Sequence, residues 1–150
     1  MTTIGDVMTE GVVTVQMDEP LHAARALFAR YRFHHLPVLT HTRLVGVVSD
    51  RDVMRALSPF VERLAERRQD LETLEVRVHA LMSRRLVVAD PSMSIAEAAA
   101  LLLEKRISCL PVLDDGKLVG IVSSHDLLRQ LLPEPSQPAP RDLARPSPAP

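Results

Sequence analysis

The feature that most constrains this chain is a repetition without gaps. Setting residues 8–57 over residues 82–131, an offset of 74, needs no insertion. Met8 falls on Met82, Ala24 on Ala98, Leu27 on Leu101, Leu36-Pro37-Val38-Leu39 on Leu110-Pro111-Val112-Leu113, and Leu44-Val45-Gly46 on Leu118-Val119-Gly120. A fixed register of this length means one supersecondary unit built twice. Each unit alone carries too little apolar surface for a comfortable core, so the copies are expected to share one. The 150 residues hold two such repeats but not a catalytic domain beside them.

Within each copy the apolar period changes in a set order. Residues 12–15 and 86–89 read as short strands, apolar enough to be covered on both faces. A helix follows. Ser94 and Glu97 form a capping box ahead of an alanine-rich run, whereas the first copy has Pro20 at that place, suited to a first helical turn. Ala24, Leu27, Phe28 and Tyr31 recur at helical spacing, as do Ala98, Leu101 and Leu102, so one stripe of each helix faces a core. Next come paired strands, 35–39 with 44–49 and 109–113 with 118–123, each pair closed by a hairpin. Asp114-Asp115-Gly116-Lys117 is a strong turn signal, while Thr40-His41-Thr42-Arg43 is weaker and leans on its counterpart. A second helix closes each copy, over 51–57 and 125–132. The expected class is α+β, with two β-α-β-β-α units.

These units occupy residues 4–57 and 76–132. Between them, residues 58–75 carry charges of both signs at i,i+4 spacing, which predicts a solvated connecting helix with Leu64, Leu71 and Leu74 for one narrow contact. Seven of the eighteen residues in 133–150 are Pro, the composition of a disordered or extended tail.

Each copy passes from its last strand into its last helix through the same junction, Gly46-Val47-Val48-Ser49-Asp50-Arg51-Asp52 and Gly120-Ile121-Val122-Ser123-Ser124-His125-Asp126. A hydroxyl and a carboxylate three residues apart serve either of two purposes there. Ser as N-cap accepts from an orphan backbone N–H, and an acid in the first turn suits the helix dipole. The same groups can instead hold a sugar diol beside a phosphate. One copy alone favours the cap; two copies in register strengthen the ligand reading.

Composition excludes several classes. A net charge of −1 gives no basic stripe, and with 3% aromatic residues and no Trp there is no stacking platform for single strands, so nucleic acid is not an expected partner. The first residues lack the charged and apolar regions of a signal peptide and no apolar run approaches a membrane span, so a cytoplasmic protein is expected. Cys109 lies in an apolar run and reads as a small core residue rather than a nucleophile. The histidines make no metal set: His34 and His35 are adjacent on a strand and point to opposite faces, and there is no His-x-x-x-His on a helix. Asp50 and Asp52 look like paired carboxylates, but no base, nucleophile or metal set is spaced around them, so no enzyme is expected.

Val7-Met8-Thr9 and Leu81-Met82-Ser83, the two Leu-Pro-Val cores and the Gly-x-Val-Ser-x-x-Asp endings together resemble the CBS domain. Two tandem copies resemble a CBS pair, or Bateman module, of the stand-alone bacterial type. The resemblance implies a non-catalytic regulatory module whose repeats pack about a pseudo-twofold axis and leave two clefts for an adenosine-containing ligand: AMP, ADP, ATP or S-adenosylmethionine. No cofactor is required beyond that regulatory ligand. By position, Ser49, Asp52, Ser123 and Asp126 would hold ribose, and Arg51 and His125 would face phosphate. Arg51 is permanently charged, whereas histidine is the residue type whose charge changes near neutral pH, so the clefts are expected to differ. The implied adenine slots are Val13, Phe33, His34 and His35 in one copy and Val87, Ile107, Ser108 and Cys109 in the other, the second being roomier. A homodimer and a regulated protein partner are also implied. The competing expectation is a structural dimerisation or protein-interaction module with empty or degenerate clefts.

Overall fold

The computed structural model of the protein describes residues 1–57, 68 and 72–133. The first copy comprises α1 (Ile4–Val7), β1 (Val15–Gln16), α2 (Leu21–Arg30), the hairpin of β2 (His35–Thr40) and β3 (Arg43–Ser49), and α3 (Asp50–Ala56). After 3-10 turns at Thr73–Glu75 and Val78–Ala80, the second comprises α4 (Ile95–Lys105), the hairpin of β4 (Cys109–Asp114) and β5 (Lys117–Ser123), and α5 (Ser124–Arg129). Both hairpins are antiparallel, with equivalent irregularities at Val38/Leu39 and Val112/Leu113. The weak first turn is clamped from outside: the Gln16 side chain accepts from the His41 N–H at 2.9 Å and donates to its carbonyl at 3.0 Å.

The leading strands are shorter than expected, and unequal. β1 pairs parallel with β2 over two residues, making a three-stranded sheet, whereas its counterpart is a single parallel bridge from Ala89 to Val112 beside a two-stranded sheet. The Met17 N–H donates to the Leu39 carbonyl at 2.9 Å. The residue at that register position in the second copy is Pro91, which has no N–H to give, so the ladder stops one residue earlier.

The copies do not pack as two self-contained units. Ile4 is fully buried in the core built by Ala98, Leu102, Leu110, Val112, Val122 and Leu127 of the second copy. Val78 and Met82 lie in the core of Val15, Leu21, Leu36, Val38, Val48 and Val53 of the first. Backbone bonds repeat the exchange in mirror fashion. The Ile4 N–H donates to Met93 O (2.8 Å) and the Val78 N–H to Glu19 O (2.9 Å); Thr9 and Ile121 bond each other in both directions, as do Ser83 and Val47. Each copy therefore lends its first residues to the other core, which is the pseudo-twofold relation in physical form.

The two motif glycines make this approach possible. A Cβ on Gly46 would stand 2.7 Å from the Ser83 carbonyl oxygen and 2.8 Å from Met82 Sδ, and one on Gly120 would collide with Met8 Sδ. Both collisions are with the exchanged segments, so any larger residue would push the segment off its host sheet.

Of the connecting segment, Arg68 and Glu72 form an i,i+4 ion pair at 3.7 Å, and Thr73–Glu75 is a 3-10 turn rather than the α-helix expected there. The remainder of that expected helix, and the tail beyond Pro133, lie outside the described residues. Among the described residues no helix is long and apolar enough to cross a membrane.

Candidate ligand cleft

Each Ser-x-x-Asp junction is a capping box. The Asp52 N–H donates to Ser49 Oγ at 3.1 Å and the Ser49 N–H returns a bond to Asp52 Oδ2 at 2.9 Å. In the second copy the Asp126 N–H donates to Ser123 Oγ at 3.3 Å, while the Ser123 N–H and hydroxyl both reach Asp126 Oδ2, at 2.8 and 2.7 Å. The cap thus uses Oδ2 of each carboxylate and leaves Oδ1 outside it.

A continuous cavity of about 1370 Å³ lies between the two junctions and is walled by both copies. Of the anticipated residues, Val13, Phe33, His34, His35, Ser49, Arg51, Ser108, Cys109, Ser123, His125 and Asp126 line it. Asp52, Val87 and Ile107 do not; Val87 and Ile107 pack against the second core as Val13 and Phe33 do against the first. The two expected clefts run together into one space with unequal halves.

The inequality has a local cause. α2 ends at Tyr31 in an extended conformation (φ −113°), carrying the chain out toward the cavity. α4 runs one register position further and ends at Arg106 in the left-handed region (φ 54°), turning the chain back so that the Ile107 N–H bonds Leu102 O at 3.1 Å. Tyr31 and Phe33 consequently stack at the cleft, ring centroids 5.3 Å apart and 14° from parallel, with Phe28 edge-on to Phe33 at 5.9 Å. The second copy has Lys105 and Ile107 at those positions, so its half has no aromatic wall.

His34 and His35 diverge, as adjacent strand residues do. His34 Nδ1 lies 2.7 Å from Asp50 Oδ2, and His35 Nε2 lies 3.1 Å from Ser108 Oγ, a bond that joins the two copies. Burial holds the His35 pKa below its ordinary 6.5, with the Asp50 charge working against that shift. Burial alone pushes the Cys109 thiol up to about 12, which removes the thiolate at neutral pH and leaves Cys109 a packing residue. Among the described residues no three metal-capable side chains gather in one place.

Sequence reasoning missed most of the cavity's positive charge. Arg32, Arg55 and Arg129 line it together with Arg51, against carboxylates, among the described residues, only at Asp50 and Asp126. Arg55 and Arg129 were findable: they are identical in the repeat register and lie one helical turn past Arg51 and His125, on the same face.

Two matched α+β units that exchange their first residues and wall a common cleft define a paired-repeat module. The chain belongs to the CBS domain family, which it matches twice, over residues 4–59 and 78–133. Among its relatives, the CBS domain-containing protein YhcV of Bacillus subtilis is 33% identical over 127 residues, covering 85% of this chain and 84% of that protein. Among solved structures, the CBS domain of a CBS domain-containing membrane protein from Sphaerobacter thermophilus superposes with a TM-score of 0.76 at 30% identity, covering 89% of this chain and 90% of that one. CBSX2, solved in complex with AMP, gives a TM-score of 0.70 at 34% identity over 87% of this chain and 96% of that one.

Proposed function

We propose that this protein is a non-catalytic regulatory module whose cleft binds a phosphate-bearing adenine nucleotide. The observation that carries the reading is a cavity in which an apolar and aromatic wall, a Ser-Asp junction and four guanidiniums meet. A purine fits the wall, a ribose diol fits the junction, and the guanidiniums suit phosphate oxygens. The same charge argues against S-adenosylmethionine, whose sulfonium and ammonium groups are cationic. CBSX2, 34% identical to this chain, was solved with AMP.

The binding event is read out through a homodimer or a protein partner. Leu128, Leu131 and Leu132 on and after α5 are 61–77% exposed, an apolar face suited to a second copy. A nucleotide touching both repeats favours whichever arrangement gives it more contacts.

Isothermal calorimetry with AMP, ADP, ATP, adenosine and S-adenosylmethionine tests the reading. Affinity should rise with phosphate number and S-adenosylmethionine should bind weakest. No heat with any of them up to about millimolar concentration would return the protein to a structural dimerisation module. That second reading draws on one observation: both Ser-Asp pairs are already occupied as caps.

A further inference from the structure

We infer that the junction between the two copies is proton-operated: the His35–Ser108 hydrogen bond latches the cleft walls together while the imidazole is neutral, and the walls part locally when the ring takes up a proton. The bond, 3.1 Å from Nε2 to Oγ, runs side chain to side chain from one copy to the other, at the cavity that both residues line. Its pseudo-twofold mate is not made. His34 stands in register with Ser108 and Cys109 with His35, so exchanging the copies would set Cys109 against His34; His34 is instead bonded to Asp50 of its own copy at 2.7 Å. The backbone exchanges of Thr9 with Ile121 and of Ser83 with Val47 involve no titratable group, so they keep the pair assembled while this one contact yields.

The surroundings of His35 favour the neutral ring. It is half-buried, and burial is the largest influence holding its pKa below the ordinary 6.5. From the start of α3, Asp50 and Asp52 attract an imidazolium and Arg51 repels it; on its own strand His34 repels it as well. Asp50 is already engaged by His34, and across the junction β4 and the residue before it offer only Cys109, its thiol pushed up to about 12, and the uncharged Ser108. From α5, His125, Asp126 and Arg129 line the same cavity. Water relieves the charge of an imidazolium more fully than one hydroxyl does, so proton uptake draws the ring outward and the bond goes with it. The joined state is therefore complete above about 6.5 and is lost as the pH falls through the folded value.

Cys109 is a native reporter of this opening: it is the chain's single cysteine, it directly follows Ser108, and it is buried while the walls are joined. The rate at which dithiodipyridine labels it in urea, divided by the rate in the folded protein at the same pH, gives a protection factor that removes the thiol's own titration. Between about pH 7.5 and pH 5.5 wild-type protection should fall about fivefold or more, with circular dichroism showing the protein folded at both. His35→Gln places an amide near the position of Nε2 and does not titrate, so its protection should change by less than about twofold; His35→Asn takes its place if that variant does not fold. Ser108→Ala lacks the bond and should begin, at about pH 7.5, near the protection that the wild type reaches in acid. Equal wild-type protection at the two pH values, a fall of the same size in the His35 variant, or full protection in Ser108→Ala overturns the latch. None of these outcomes bears on whether a nucleotide binds, which calorimetry decides separately.

Discussion

The two copies share one plan, and their comparison shows how little sequence change is needed to give the cleft between them two different walls. At the hairpins and at the exchanged segments they agree bond for bond: Cys109 faces Ser123 as His35 faces Ser49, and Thr9 meets Ile121 as Ser83 meets Val47. They part at two places. Pro91 stops the second ladder where Met17 continues the first, and the chain turns through the left-handed Arg106 ahead of Ile107 where it runs extended through Tyr31 toward Phe33, which lines the cavity. Both divergences involve backbone geometry at the end of an element, and they change which side chains the cleft receives without altering the core.

The largest test of the shared half of this comparison is Ile4→Ala. A buried isoleucine truncated in a core it enters from the other end of the chain should cost about 3 kcal/mol in urea denaturation, and its counterpart Val78→Ala about 2 kcal/mol. A cost below about 0.5 kcal/mol for Ile4→Ala would mean that the first residues are a loose terminus and the exchange is not real.

Next are the glycines, which should respond unequally. Gly46→Ala meets a backbone oxygen at 2.7 Å, whereas the nearest backbone oxygen to a Cβ on Gly120 is 3.1 Å away and its closest clash is with the thioether of Met8. We expect about 3 kcal/mol for Gly46→Ala and 1–2 kcal/mol for Gly120→Ala, because a methionine side chain rotates away and a carbonyl does not. Equal losses would show that the two segments are held with the same rigidity.

A smaller effect separates the long helices. Ser94→Ala removes a complete capping box from α4 and should cost about 1 kcal/mol. α2 starts at Pro20 without any side-chain cap, so Pro20→Ala has no such bond to lose.

The smallest effect is a pH dependence confined to one copy. The folded pKa of His35 is held below the usual 6.5 by burial, so the unfolded chain takes up that proton first. Its stabilising contribution is complete above about 6.5 and is lost as the pH falls through the folded value. Melting temperatures compared near pH 7.5 and pH 5.5 should therefore fall less in His35→Asn than in the wild type. Cys109, its register counterpart, has its thiol near 12 and contributes nothing in that range.

Much of this fold was legible in the sequence, because alternation, turn residues and a capping box act locally. β2 to β5 and the closing helices lie within a residue or two of where the pattern put them at their starts, although α5 stops at Arg129, short of the expected residue 132. The segment exchange was not legible: a repeat register is the same whether Ile4 packs on its own copy or on the other. The cleft was half legible. Most of the anticipated residues line it, and the identity of Arg55 with Arg129 could have added its charge. Asp126 lines the cavity and Asp52 does not, a difference that the shared Ser-x-x-Asp spacing does not encode.

The exchange also sets a timetable for synthesis. As the chain leaves the ribosome, the first copy emerges whole but lacks Val78 and Met82, so its core cannot close until the start of the second copy is out. The residues around Ile4 wait longer still, since the sheet that receives them ends at Ser123. An open apolar face therefore persists on each copy until its counterpart has been made, and neither core closes without the other copy's segment.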